Sequence, residues 1–420
     1  MINPPLALKN ARFIPYSRSD IIQLLVNEGS LTQEETNLFK QVCDLLLHIY
    51  HYEFHQSLET LKDCYAPVNP DADTYQVFNT NKDALLEKEK RLFEALNALL
   101  DKANFEKITE TDVKQAISEE SLFNIKLNVD FNDFEQVLFF RRGESVRQET
   151  LVSFFGLRKQ NITFINYDRV VVIVKFKPHS YFSQKRRKQL YFEPGSIIVK
   201  LFQNIPRNDL EMLFPNTEVG MKLIDKMMIG VPATIGGIIM LATKLGTTLL
   251  LSGSLIAFWL GMRDEPVELN QTNLLALAIG FGTLGGFLWK QFNNFKNRKI
   301  RFMKTLADNL YFKNLDNNMG VFHRLIDAAE EEECKEAILA YYFLCIAGKP
   351  LSALELDQEI ENWFECTQHK TLDFEIDDAL QKLLKLGLVK LIPEEHYEAI
   401  PPHKATQVLD AVWDNYFTYH

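Results

Sequence analysis

Apolar residues recur at helical spacing through the first part of the chain. Phe13-Ile-Pro-Tyr-Ser-Arg-Ser-Asp20 leads into Ile21, Ile22, Leu24 and Leu25, a capped short helix whose apolar side chains need a partner, as in a docked arm. Thr32 with Glu35 makes a capping box that opens a long helix reaching about Cys64. A second helix is predicted over Lys82–Asn104, and Thr109 opens a third that ends near Ser118. From Gln136 the period changes to that of strands. Val137–Gly143, Ile162–Lys177 and Ser196–Phe202 are β-branched and aromatic runs, which predicts at least three strands in an α+β unit.

The next stretch, Met227–Trp289, holds two long apolar runs separated by the acidic turn Arg263–Glu268. The uncharged run Leu269–Trp289 matches the roughly 20 helical residues needed to cross a hydrocarbon core. The run Met227–Met262 is broken only by Lys244 and is too long for one straight crossing. The expected layout is a two-helix hairpin with spans at 243–262 and 269–289, preceded by a buried or interfacial helix over Met227–Ala242. Three spans, with Met227–Thr243 as an extra crossing, are the alternative. Lys290, Lys296, Arg298, Lys299, Arg301 and Lys304 follow the second run, whereas the turn is acidic, so the basic side is expected inside and both termini with it. Three spans would export a large N-terminal region for which Met1–Asn10 supplies no leader. The expected location is a bacterial inner membrane or an organelle membrane.

Small residues at four-residue intervals, Gly253, Ala257, Gly261 and Ala278, Gly282, Gly286, give each apolar helix a smooth stripe for packing on its neighbour or on a second copy of the chain. Gly280–Gly285 spells Gly-x-Gly-x-x-Gly, but inside an apolar run and after no strand, which removes the context a dinucleotide site requires.

Beyond a helix over Phe302–Leu315, the C-terminal stretch shows helical patterns at Lys335–Ile346, Leu354–Trp363 and Ile376–Leu386, then a hairpin of Leu388–Ile392 and Tyr397–Ile400. That order predicts a winged-helix-like domain. Acids outnumber bases 20 to 8 between residues 321 and 420, so nucleic acid is not an expected partner and a protein partner or dimer contact is. Trp413, Tyr416 and Phe417 seal its core or form its contact surface.

Composition adds bounds. The chain has 420 residues, 46% of them hydrophobic, and a net charge of -10; its mean hydropathy of -0.13 leaves most of it globular around a small apolar part. Five scattered cysteines without a Cys-x-x-Cys pair point to reduced thiols.

Candidate chemistry is sparse. His48, His51 and His55 share one helical face at metal-ligand spacing, with a solvated or hydrogen-bonded face as the other reading. Lys185, Arg186, Arg187 and Lys188 form a basic loop near Tyr181, Phe182, Tyr191 and Phe192, suited either to an anionic lipid surface or to solvent. Arg141, Arg142, Asp209 and Glu211 are expected to form a structural ion-pair cluster. Gly-x-Ser-x-Gly, Gly-x-x-x-x-Gly-Lys and His-Glu-x-x-His do not occur, so no catalytic residue or cofactor is assigned.

Ile205–Thr217, Ile229–Ala233, Phe140–Gly143 and Arg12–Pro15 together resemble the transmembrane protein 143-like family over nearly the whole chain. The resemblance implies an integral membrane protein with soluble flanks and carries over no activity, substrate or catalytic residue.

The fold class expected is an α+β membrane protein: N-terminal helices (1–134), a β-rich part (135–226), the membrane hairpin (227–290), a basic exit and linker helix (291–320) and an acidic winged-helix-like domain (321–420). The function expected is a membrane-anchored interaction or scaffold protein, self-associating, with a lipid-directed enzyme or an oligomeric channel as rivals.

Overall fold

The structure is a computed structural model that describes residues 6–7, 12–74, 81–118, 126–153, 158–188, 190–220, 246–262, 270–369 and 371–416. The fold is mixed α+β and divides into two compact units. Residues 1–118, 131–210 and 313–420 form the larger, and residues 119–130 and 211–312 the smaller. The stretches read from sequence as N-terminal helices, β-rich part and C-terminal domain thus contribute to one unit. Their apolar faces meet in one hydrophobic cluster running from Ile14 through Val171 to Leu409.

The centre of the larger unit is the helix Met319–Ala347. Its residues from Glu332 to Leu344 are buried without a break, so it has no solvent face over that length and is walled in on all sides. The walls are the helices Arg18–Asn27, Gln33–Tyr65, Lys82–Lys102, Ala353–Gln368 and Ile376–Lys385. Gln33–Tyr65 begins where the sequence predicts. Thr32 N–H donates to Glu35 Oε2 at 3.0 Å while Glu35 N–H donates to Thr32 Oγ1 at 3.3 Å, completing the capping box. The short arm helix Arg18–Asn27 docks through Ile21 and Leu25, both buried, and the Tyr342 hydroxyl donates to the Leu25 carbonyl at 2.9 Å.

The sheet of this unit has the order Leu6–Ala7, Phe134–Ser153, Arg158–Phe176, Ile197–Pro206, Asn314–Asn317, and Glu106–Ile108 adds to the Phe134–Ser153 strand. All pairs are antiparallel. In the middle strand Val170 to Val174 are all buried, so both faces of the sheet are covered there. Gly143 sits opposite Asp168 at a φ of +73°, where an added Cβ would lie 2.6 Å from Asp168 Oδ2. Only a residue without a side chain passes that point.

The C-terminal order is the central helix, the strand Leu351–Ser352, two helices, then the strands Val389–Ile392 and His396–Ala399 in a three-stranded sheet with the first. The helices and the last two strands come in the order read from the sequence. The first helix begins at Met319, well before the Lys335 that apolar periodicity suggests, because Glu330–Glu333 hid the continuation. The last helix, Pro402–Asn415, lies along Gln33–Tyr65, with Trp413 edge-on to both His48 and Tyr52.

In the smaller unit, Lys126–Asn128 pairs with Glu218–Gly220, and two apolar helices follow. The two-helix membrane hairpin expected from the apolar runs is not supported, since among the described residues a single helix is long and apolar enough to cross a membrane. Gln271–Asn297, of 27 residues and mean hydropathy 1.4, passes that test. It continues without a break to Lys313, so the separate helix expected over Phe302–Leu315 is part of it, and Leu315 belongs to a strand. Of the span expected at 243–262, the described helix is Gly246–Trp259, and it borders residues that lie outside the described ones. Its end is built into the sequence: Gly261 has a φ of +71°, its N–H donates to the Phe258 carbonyl, and Met262 N–H donates to the Ala257 carbonyl. That is a Schellman stop. The lead-in Met227–Ala242, Lys244 and the acidic turn Arg263–Glu268 lie outside the described residues.

The two apolar helices touch through a different small residue from those expected. Gly253, Gly282 and Gly286 have nothing within 4 Å of an added Cβ, whereas one at Gly280 would be 2.0 Å from Thr248 Oγ1. Thr248 is buried against the second helix and donates to the Ala276 carbonyl at 3.3 Å. The stripe Ala278, Gly282, Gly286 is exposed, and Gly261 is a helix stop.

Candidate functional site

The central helix carries a buried charge cluster that the sequence reading passed over. Glu332, Glu333, Lys335 and Glu336 are each at most 3% exposed. Lys335 Nζ donates to the carbonyls of Ile14 at 2.8 Å and Tyr16 at 3.1 Å, and to Glu332 Oε1 at 2.6 Å. All three ammonium donors are used. Glu332 Oε2 in turn accepts from the Ile14 N–H at 3.2 Å and from Asn104 Nδ2 at 3.3 Å. This set clamps the N-terminal arm to the middle of the molecule.

One turn on, Lys382 from the helix Ile376–Lys385 meets three carboxylates, Glu333 at 2.7 Å, Glu336 at 2.9 Å and Asp378 at 2.6 Å. Burial pushes the Glu336 carboxyl up to about 7 against the pull of Lys382, and burial raises Glu333 as well. Burial pulls Lys382 down, but Glu336, Glu333 and Asp378 outweigh it and hold the ammonium above the ordinary lysine range. Burial thus favours the protonated form of both carboxyls, and Lys382 opposes it.

A second site lies at the edge of the sheet. A cavity of about 580 Å³ is lined by Pro70, Asp71, Tyr191, Lys200, Asn317 and Asn318, among others. Asn318 occupies a φ of 48° with ψ at -118°, off the favoured regions for a residue with a side chain. It is held there by its neighbours. Its N–H donates to the Val199 carbonyl at 2.6 Å, its Oδ1 accepts from Val199 N–H at 3.0 Å, and its Nδ2 donates to the Asp71 carboxylate. Lys200 Nζ donates to Asn317 Oδ1 at 3.1 Å, and burial lowers the ammonium pKa while Asp71 opposes that shift.

The basic loop is a short helical turn, Gln184–Arg187, capped by Ser183. Arg186 is fixed by Asp133 at 2.6 Å, while Lys185, Arg187 and Lys188 are exposed. An aromatic stack anchors the loop beneath them. Phe182 is buried against Phe192, which lies face to face with Phe176 at 3.9 Å, and Lys177 sits over the Tyr181 ring at 4.1 Å. Tyr191 is fully exposed.

The remaining sequence candidates are the histidine face and the charged set around Arg141 and Arg142. His48, His51 and His55 are exposed; His51 Nδ1 faces Glu330 Oε2 at 3.0 Å and His48 Nδ1 faces the Asp44 carbonyl at 2.6 Å. Among the described residues, no group of three or more His, Cys, Asp or Glu side chains is arranged to hold a metal ion. Arg141 pairs with Glu106 at 3.0 Å and with Glu144, whereas Arg142 lies over Phe13 and Phe105 and donates to the Ala103 carbonyl at 3.2 Å. Burial lowers Arg142 to about 10, with Glu332 opposing. These two arginines therefore tie the sheet to the arm and to Glu106–Ile108. Asp209 is buried at the end of the larger unit, and Glu211 belongs to the smaller.

Fold and sites define an α+β protein with a globular unit, a buried ionic hub and, among the described residues, one helix long and apolar enough to cross a bilayer. Residues 167–320 match the family described as "Protein of unknown function (DUF3754)". The match takes in Tyr191, Lys200, Asn317 and Asn318 of the cavity wall, the basic turn and the apolar helix, and stops before Glu332. No solved structure matches the chain.

Proposed function

We propose that this protein is anchored in a bilayer by Gln271–Asn297 and presents its globular unit as an interaction or scaffold module at the membrane surface. The observation that carries the reading is exposure. Only 6% of the most apolar window of that helix is buried within the chain, and Leu275, Ile279, Phe281, Leu288 and Trp289 are each more than half exposed. So much unpartnered apolar surface is stable in hydrocarbon and costly in water. The bases from Lys290 to Lys304 favour a cytoplasmic C-terminal end for the anchor. A hairpin with both termini inside needs a further crossing, to which the described helix Gly246–Trp259 contributes. The resemblance of the chain to the transmembrane protein 143-like family agrees with an anchored protein. Alkaline carbonate treatment of membranes containing the full chain is the test. Retention in the pellet and release by detergent alone support the anchor; release by carbonate contradicts it.

A second reading, an enzyme acting on a lipid-linked substrate, draws on the cavity beside Lys200 and Asp71.

A further inference from the structure

We infer that the cavity and the basic turn form one binding site for a phosphate-bearing polyol, the chemistry of a phospholipid headgroup and equally of a soluble sugar or inositol phosphate. The inference deepens the anchored reading by naming what the globular unit binds.

The cavity supplies mixed polarity rather than positive charge. Lys200 and the Asn317 amide offer donors, and Asp71 and Glu193 offer carboxylate acceptors, around one space of about 580 Å³. Bare phosphate would meet two carboxylates there and be repelled. A hydroxyl both donates and accepts, so a ring or chain carrying several hydroxyls can satisfy donors and acceptors that alternate along a wall. Leu190, Ile198 and Pro70 give the same space an apolar side for the carbon skeleton, and the Tyr191 ring stands free at its rim. Asn318 is held in its strained conformation by three hydrogen bonds to Val199 and Asp71, so the Asp71 carboxylate and the Asn317–Asn318 corner are preorganised before any ligand arrives.

The charge that the cavity lacks is next to it in the chain. Between Lys177 and Lys188 there are five basic residues and no acid, in a protein whose net charge is -10. Asp133 fixes Arg186, whereas Lys185, Arg187 and Lys188 make no ion pair among the described residues. Lys188 is three residues from Tyr191, which limits their Cα separation to about 11 Å. The backbone of the basic turn thus ends a short stretch of chain from the cavity rim. The stack of Phe176, Phe182 and Phe192 ties the turn to the cavity wall, to which Phe192 belongs. Hydroxyls in the cavity with phosphate on the turn is the one assignment that gives each group a complementary partner.

The test uses the full chain in detergent, titrated with myo-inositol, inorganic phosphate, myo-inositol 1-phosphate and sn-glycerol 3-phosphate by calorimetry. A parallel arm uses lipid nanodiscs of phosphatidylcholine with phosphatidylinositol, phosphatidylglycerol or phosphatidylserine, and follows protection of the turn from trypsin. Expected is binding of a polyol phosphate at least about tenfold tighter than phosphate or polyol alone. Tyr191→Ala and Lys200→Met should weaken it, and Lys185→Ser with Arg187→Ser and Lys188→Ser should reduce it to the level of the free polyol. Protection by phosphatidylinositol or phosphatidylglycerol discs beyond that by phosphatidylserine identifies a lipid source, and binding of the soluble esters without such protection identifies a free metabolite. Equal binding of phosphate and its esters, equal protection by all anionic discs, or no binding at all would each overturn the site. Carbonate extraction is read separately, so loss of the anchor and loss of this site are distinguishable.

Discussion

At the scale of single residues, the decisive group is Glu336. A carboxyl with an ordinary value of 4.5 that is pushed to about 7 by burial binds its proton more tightly in the folded chain than in the unfolded one. Its contribution to stability is therefore full below 4.5 and is lost as pH rises through about 7. Glu336→Gln keeps the shape and removes the titration. Urea unfolding followed between pH 5 and 8 should show the wild-type protein losing about 2 kcal/mol more than the variant over that range. Parallel profiles would mean that Glu336 is not the proton holder of the Glu333, Glu336 and Lys382 group. Little of this was legible beforehand. Glu330–Glu333 and Lys335-Glu336 look like a solvated charge run, and the -12 balance of the C-terminal stretch encouraged that view. The signal available was the unbroken apolar run Ala337–Ile346 directly after it, since a helix buried all round carries its charges inward too.

Among the elements, those with strong local signals were legible and those set by distant partners were not. The capping box at Thr32 marks a helix start because the bonds that define it are local. The strand cores were found, but Phe134–Ser153 extends far beyond Val137–Gly143, through residues such as Arg147 whose strand conformation comes from pairing rather than propensity. Helix contact in the apolar part was misplaced for a related reason. Small residues at four-residue intervals permit close approach without saying where it happens, and the approach is at Gly280. Gly280→Val should lower the melting temperature of the detergent-solubilised protein, because the new side chain meets the buried, β-branched Thr248, and Thr248→Ala should restore part of the loss. Gly282→Val, facing open space, should leave it within a degree or so of wild type, an effect of about 0.5 kcal/mol or less. Equal losses at both glycines would place the contact elsewhere.

For the larger unit, which holds most of the molecule, the sequence divides at its composition changes and the structure does not. The arm at Ile14, the sheet at Val171 and the terminal helix at Leu409 are far apart in the chain and share one core, held by Lys335 and Lys382 at its ionic centre. A linear reading finds segments and misses which of them are partners. It found the apolar helix because length and hydropathy are local properties, and that helix carries the central claim. Single cysteines at Asn270 and Asn309, on either side of Gln271–Asn297, test it most directly. The background replaces Cys366, which is exposed, and Cys345, which is half-buried, with serine. A membrane-impermeant maleimide is applied to intact cells or sealed vesicles and then after permeabilisation. Labelling of Asn270→Cys and Asn309→Cys from opposite sides is the predicted result; labelling of both from the same side would mean that the helix does not cross.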